Sequence, residues 1–123
     1  MRTMTIEATN NTPWIELDPS GIFSFKGRFI HEEPSQFFTP VIKWLKEYKK
    51  DPPPVTIVNV DLEYFSCMAS RYILQVLETL LPLRKNNRLV INWYYENGDE
   101  DILERGQYYE ALFNIEFNFI EYS

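Results

Sequence analysis

The stretch VNVDLEYFSCMASRYILQVLETLL, residues 58–81, changes its hydrophobic period near Ser66. Before that point Val58, Val60, Leu62 and Tyr64 alternate with Asn59, Asp61 and Glu63, the period of two expected of a strand with one buried face. After it Ile73, Val76, Leu77, Leu80 and Leu81 recur at helical spacing, with Gln75, Glu78 and Thr79 on the other side. The reading is a strand, a tight corner at Phe65–Ser66 and an amphipathic helix. At such a corner the first helical amides lack intrahelical partners and the macrodipole leaves partial positive charge, so the edge is a natural place for function.

Working outward, Asp51-Pro52-Pro53-Pro54 ends a preceding helix and stiffens the entry to this strand. That helix spans about Ser35 to Lys50. Phe37, Val41, Trp44, Leu45 and Tyr48 form its apolar face, and Lys43, Lys46, Lys49 and Lys50 occupy much of the rest. Pro40 is tolerated only near a first turn, which places the start a few residues before it. Upstream, Met4–Ala8 and Trp14–Asp18 are short apolar-leaning segments, and Asp18-Pro19-Ser20-Gly21 is a turn. Ile22–Gly27 forms the second arm of a hairpin with Phe23 and Phe25 on one face. Gly27 then releases a loop, Arg28–Pro34, holding His31, Glu32 and Glu33.

Downstream, Lys85-Asn86-Asn87 closes the second helix. Leu89–Tyr95 reads as an interior strand covered on two sides, with a second helix layer, or alternatively a partner surface, over the consecutive aromatics Trp93, Tyr94 and Tyr95. Asp99–Phe113 is a third helix, with Asp99, Glu100 and Asp101 at its N-terminus, and Ile115, Phe117 and Phe119 mark a last strand. The order β-β-α-β-α-β-α-β, with room for one more N-terminal strand, predicts a single α/β domain over residues 1–123: a mixed sheet with a parallel core and about three helices on one or both faces.

Composition narrows the function. At 123 residues the chain is one domain's worth, able to bury roughly two-thirds of its unfolded surface. A net charge of −6 opposes binding to a phosphate backbone, so nucleic acid is not expected as a partner. No apolar run reaches the length of a membrane span and Met1–Asn11 lacks signal-peptide order, which makes a cytoplasmic location the expectation. One cysteine, Cys67, and one histidine, His31, make neither a disulfide nor a zinc cluster. Glu96, Asp99, Glu100 and Asp101 do not follow the calcium-loop spacing. No metal or cofactor is expected.

Several blocks carry a family resemblance: Thr12-Pro13; Gly27 before a loop with Glu32; Phe38-x-Pro40; and Trp44-Leu45-x-x-Tyr48. Leu62-Glu63-Tyr64-Phe65, Asn92-Trp93-Tyr94-Tyr95-Glu96, and Asp99-Glu100-Asp101 with Gly106 and Tyr109 complete the set. Together they resemble the SiaC family of bacterial regulatory phosphoproteins, whose fold is like that of STAS-domain anti-sigma-factor antagonists. The resemblance implies a non-enzymatic, partner-switching module that a kinase phosphorylates and a phosphatase restores, with a diguanylate cyclase as one partner. Where the family has Tyr-Phe-Asn-Thr-Ser-Ser, with the threonine as acceptor, this chain has Tyr64-Phe65-Ser66-Cys67-Met68-Ala69. Cys67 therefore stands at the acceptor position, and in the loop after Gly27 only Glu32 of the family's Ser-Tyr-Pro-Glu-Asn survives.

The remaining hydroxyls at the corner, Ser66 and Ser70, are the candidate acceptors. Ser66 is well placed as an N-cap, its hydroxyl accepting from an amide near Ala69, which is worth about 1 kcal/mol. A phosphate there would add roughly −1.5 to −2 charge beside free amides and near Arg71. The expected partner surface is Glu32, Ser66, Cys67, Met68, Ser70 and Arg71. Two other readings compete: a constitutive protein-binding module without phosphorylation, and a small thiol enzyme using Cys67, whose place at a helix start favours thiolate. Cys67 and Arg71 are too close together for a C-x5-R phosphatase loop.

Overall fold

The computed structural model describes residues 1–30 and 34–123, with the backbone alone for 34–37. Six strands form one sheet: β1 (Met4–Ile6), β2 (Trp14–Asp18), β3 (Ile22–Phe29), β4 (Val55–Phe65), β5 (Arg88–Glu96) and β6 (Asn118–Tyr122). Three helices connect the last four: α1 (Pro34–Tyr48), α2 (Cys67–Leu80) and α3 (Glu100–Phe113). The strands lie in sequence order across the sheet. β1, β2 and β3 pair antiparallel, and β3, β4, β5 and β6 pair parallel. This is the predicted mixed sheet with a parallel core, and the additional N-terminal strand is present.

Sequential order has a consequence for the layers. Each parallel crossover steps in the same direction, and right-handed crossovers then place all three helices on one face. Burial along β4 agrees. Thr56, Val58, Val60 and Leu62 are buried beneath the helices, while Ile57, Asn59 and Asp61 on the opposite face are half-exposed. The expectation that β5 is covered on both sides is therefore corrected. Trp93 is buried on the helix side, but Val90, Asn92 and Tyr94 lie on the open face, which no second helix layer covers among the described residues. On that face Asn92 donates to Asn59 Oδ1 at 2.9 Å, and Asn118 donates to Asn92 Oδ1 at 3.0 Å, a polar ladder across β4, β5 and β6.

The core between sheet and helices is rich in aromatic rings. Phe23 meets Trp44 and Tyr48 of α1, and Trp93 meets Phe65, Tyr109 and Phe117. The α1 face includes Val41, Trp44, Leu45 and Tyr48 as read, joined by Phe38 and Ile42; the Phe37 side chain lies outside the described residues. Pro40 sits inside α1 rather than in its first turn. It is exposed, and its missing N–H removes one main-chain bond from the helix.

Of the boundaries that differ from the sequence reading, three have a clear local reason. β3 continues past Gly27 to Phe29, because Gly27 adopts φ 120° and the ladder shifts register there instead of ending. α2 stops at Leu80 and the chain tightens into a 3-10 segment, Leu81–Lys85, since Pro82 has no N–H to continue the α pattern. β6 begins at Asn118 rather than Ile115. Asn114 ends α3 in the left-handed region, and the Phe117 amide donates to Glu110 Oε2 instead of to a sheet partner.

Candidate functional site

The register shift that extends β3 also builds the corner. Gly27 pairs with Leu62 but Arg28 pairs with Tyr64, so Glu63 is an extra residue on β4 and the alternation slips by one. Tyr64, expected inside by its period, is 46% exposed, and Phe65 takes the buried position. Phe65 thus anchors the end of the strand beneath the surface. The Ser66 amide donates to Phe29 O at 3.0 Å, which ties the corner to β3.

From that anchor the helix starts as read. Ser66 is the N-cap of α2, in extended conformation, and its Oγ accepts from the Ala69 amide at 3.2 Å. Ala69 is buried beneath the first turn, while Cys67, Met68 and Arg71 are exposed and Ser66 and Ser70 half-buried. The Ser70 hydroxyl donates to Cys67 O at 2.6 Å. Five of the six residues expected to meet a partner are therefore gathered on one helix start, and Tyr64 joins them. The sixth, Glu32, lies outside the described residues, as do His31 and Glu33.

One residue of this site escaped the sequence reading. Arg105 reaches over from α3, donates from Nη1 to Phe65 O, and places its guanidinium carbon 4.3 Å from the centre of the Phe65 ring. Its Nε lies 3.6 Å from Asp101 Oδ2. The Asp101–Arg105 spacing is visible in the sequence as a pair one helical turn apart, but its aim at the corner depends on how α3 docks. Gly106, the next residue, sets that docking. A Cβ there would lie 2.6 Å from Trp93 Nε1, and the indole donates to Ile102 O at 2.9 Å. Between α2 and α3 runs a hollow of about 410 Å³ lined by Cys67, Ser70, Leu74, Tyr108 and Tyr109, with Asp101, Glu104 and Arg105 on its rim. Burial holds the Tyr109 phenol above its ordinary pKa, opposed by the Arg105 charge and a hydrogen bond with Ser70.

The sequence profile of the SiaC family regulatory phosphoproteins matches residues 6–122. The chain belongs to the SiaC family. Among curated proteins none matches it. Solved structures of SiaC from Pseudomonas aeruginosa share the fold. The apo-SiaC crystal structure superimposes with TM-score 0.85 at 20% identity, over 100% of both chains. A chain in the complex of the diguanylate cyclase SiaD with its activator SiaC, from the same organism, gives TM-score 0.89 at 20% identity, over 97% of this chain and 99% of that one. Within the SiaC fold the β4–α2 corner of this chain presents Cys67 to solvent, with hydroxyls on either side of it in sequence at Ser66 and Ser70. Among the described residues no group of three or more His, Cys, Asp or Glu side chains converges as a metal site would require, and no helix is long and apolar enough to cross a membrane.

Proposed function

We propose that this protein is a cytoplasmic, non-enzymatic partner-switching module that binds other proteins through the β4–α2 corner. Its partners are a kinase and phosphatase pair and an effector of the diguanylate cyclase kind. The observation that carries the reading is the corner's construction: a rigid base of Phe65, Ala69 and Arg105 beneath an exposed set of Tyr64, Cys67, Met68 and Arg71. Membership of a family of regulatory phosphoproteins supports it. So does the fold shared with SiaC, which activates the cyclase SiaD in its own system.

The switch residue in this reading is Ser66, with Ser70 one turn in as the second acceptor. A phosphate on Ser66 would sit where α2 presents unpaired amides, adjacent to the carbonyl that Arg105 holds. It would compete with that carbonyl for the guanidinium and add charge to the contact surface, discouraging one complex by repulsion and favouring another. The second reading is a constitutive binder, which the cysteine at the family's acceptor position favours.

The test compares wild type with Ser66→Asp as bait in lysate of the native cell, identifying captured proteins and bait phosphorylation by mass spectrometry. Aspartate is itself a good N-cap, so the substitution changes charge while keeping the helix start. A kinase, phosphatase or cyclase whose capture changes with the charge is the expected result. The same partners on both baits, with no phosphate on Ser66 or Ser70, would favour the constitutive binder. Capture of none of these classes by either bait would remove the regulatory reading.

A further inference from the structure

On the other side of α2 from the Cys67 hollow, a furrow runs between α1 and α2. Its upper part, about 470 Å³, is walled by Phe38, Ile42 and Tyr72 and edged by Lys43 and Lys46. Its lower part, about 410 Å³, is walled by Pro52, Pro82 and Leu83 and edged by Lys46, Lys49 and Lys50. Lys46 lines both parts. The walls hold the apolar surface together: Phe38 and Leu83 belong to the core, and the Phe38 and Tyr72 rings sit 5.6 Å apart.

The charge at this furrow runs against the rest of the molecule. The chain carries a net −6, yet four lysines of one segment line one groove. Lys50 pairs with Glu47 at 3.0 Å; among the described residues Lys43, Lys46 and Lys49 have no carboxylate within ion-pair distance. Across α2, the Cys67 hollow has two carboxylates on its rim, Asp101 and Glu104, against one cation, Arg105. The central helix therefore separates a basic furrow from one with acidic groups.

We propose that the α1–α2 furrow is a second protein-docking site, for an acidic amphipathic helix of a partner protein. The helix would lay its apolar face on the half-buried Tyr72 above and on Pro52 and the exposed Pro82 below, over a floor of the buried Phe38, Ile42 and Leu83, with its carboxylates set against the lysines. From Phe38 to Lys46 the lining residues follow α1 for roughly 12 Å at 1.5 Å per residue, enough for about two turns of a docked helix. The helix α3 of a second copy, with exposed Tyr108 and Leu112 near Asp101 and Glu104, has related chemistry. That contact would be head-to-tail, leaving a free furrow and a free α3 at the ends of every assembly, and would tend toward open filaments rather than a closed regulator. A foreign helix is the occupant we assign. The site is independent of the β4–α2 corner.

The test uses two fluorescein-labelled amphipathic peptides, one of leucine and glutamate and a matched one with lysine at every glutamate, titrated with the full chain and read by anisotropy. The acidic peptide binds, its lysine counterpart does not, and raising the salt weakens the complex. Lys43→Glu combined with Lys46→Glu lowers the affinity about tenfold or more, as loss of complementary rim charge does. Glu104→Lys, on the far side of α2, leaves it unchanged. If circular dichroism shows that the charge reversal disturbs the fold, Lys43→Gln with Lys46→Gln gives a smaller drop in the same direction. Equal binding of the two peptides, no binding of either, or an acidic-peptide affinity indifferent to both lysine pairs would overturn the proposal. Self-association in sedimentation that the lysine substitutions abolish would overturn it in favour of a second copy.

Discussion

At the corner, single atoms set the energetics. Arg105 makes a charge-assisted hydrogen bond to Phe65 O and covers the Phe65 ring, so one side chain of α3 holds the last residue of β4 in place. Arg105→Met keeps much of the side-chain stem and removes the charge. It should cost about 1.5–3 kcal/mol in urea unfolding, the range for hydrogen bonds to charged groups. A mere surface ion pair with Asp101 would cost well under that, which distinguishes the two readings. Gly106→Ala tests the neighbouring contact. The added methyl has nowhere to go against the Trp93 indole, whose ring is fixed by its bond to Ile102 O, and overpacking of this kind should cost about 1–3 kcal/mol. Tryptophan fluorescence of the folded variant should shift as Trp93 moves. Neither residue's role can be read from its own sequence neighbourhood, because Trp93 and Phe65 come from other elements.

At the scale of elements, the strand–corner–helix unit was legible almost whole. Ser66 caps α2 through the Ala69 amide, as its residue type and position predict. The exception is Tyr64. Its period points inward, but the extra residue Glu63 turns it out and brings Phe65 in, and nothing in β4 alone reveals a bulge that depends on pairing with β3. The asparagine ladder is likewise a property of pairing, since Asn59, Asn92 and Asn118 meet only once three strands are in register. Asn92 both donates and accepts there. Asn92→Ala loses two hydrogen bonds and should lower stability by about 1–2 kcal/mol in the same assay. A loss no larger than that of an ordinary exposed strand substitution would show that water replaces the ladder without cost.

The whole molecule responds to alkali through its buried phenols. Burial holds Tyr48 above its ordinary pKa of 10.0, opposed by its hydrogen bond with Thr56, and Tyr109 is raised mainly by burial as well. A phenol with a raised folded pKa keeps its proton longer in the native state. Its contribution to stability is complete below the unfolded value near 10.0 and is lost as the pH rises toward and through the folded values. Absorbance titration at the tyrosinate band should show three late-ionising phenols, Tyr48, Tyr109 and the more exposed Tyr122, which burial and then the Asp61 charge raise; Tyr48→Phe and Tyr109→Phe should each remove one. Far-ultraviolet circular dichroism should fall as they ionise. Loss of that signal before any late ionisation would place alkaline unfolding elsewhere.

Local pattern and composition were enough to specify the alternation of strands and helices, the capped start of α2, the parallel core and the family blocks from Thr12-Pro13 to Tyr109. Each of these depends on neighbours within a turn, on a periodicity or on residue order, which a linear chain carries directly. Tertiary structure alone decided that the three described helices share one face of the sheet, that Tyr64 turns out while Phe65 turns in, and that Arg105 aims at the corner. It also decided that lysines on α1 meet an apolar trough lined by α2. These arrangements arise where residues far apart in sequence compete for the same space, and that competition is settled only when register, crossover hand and packing are satisfied together.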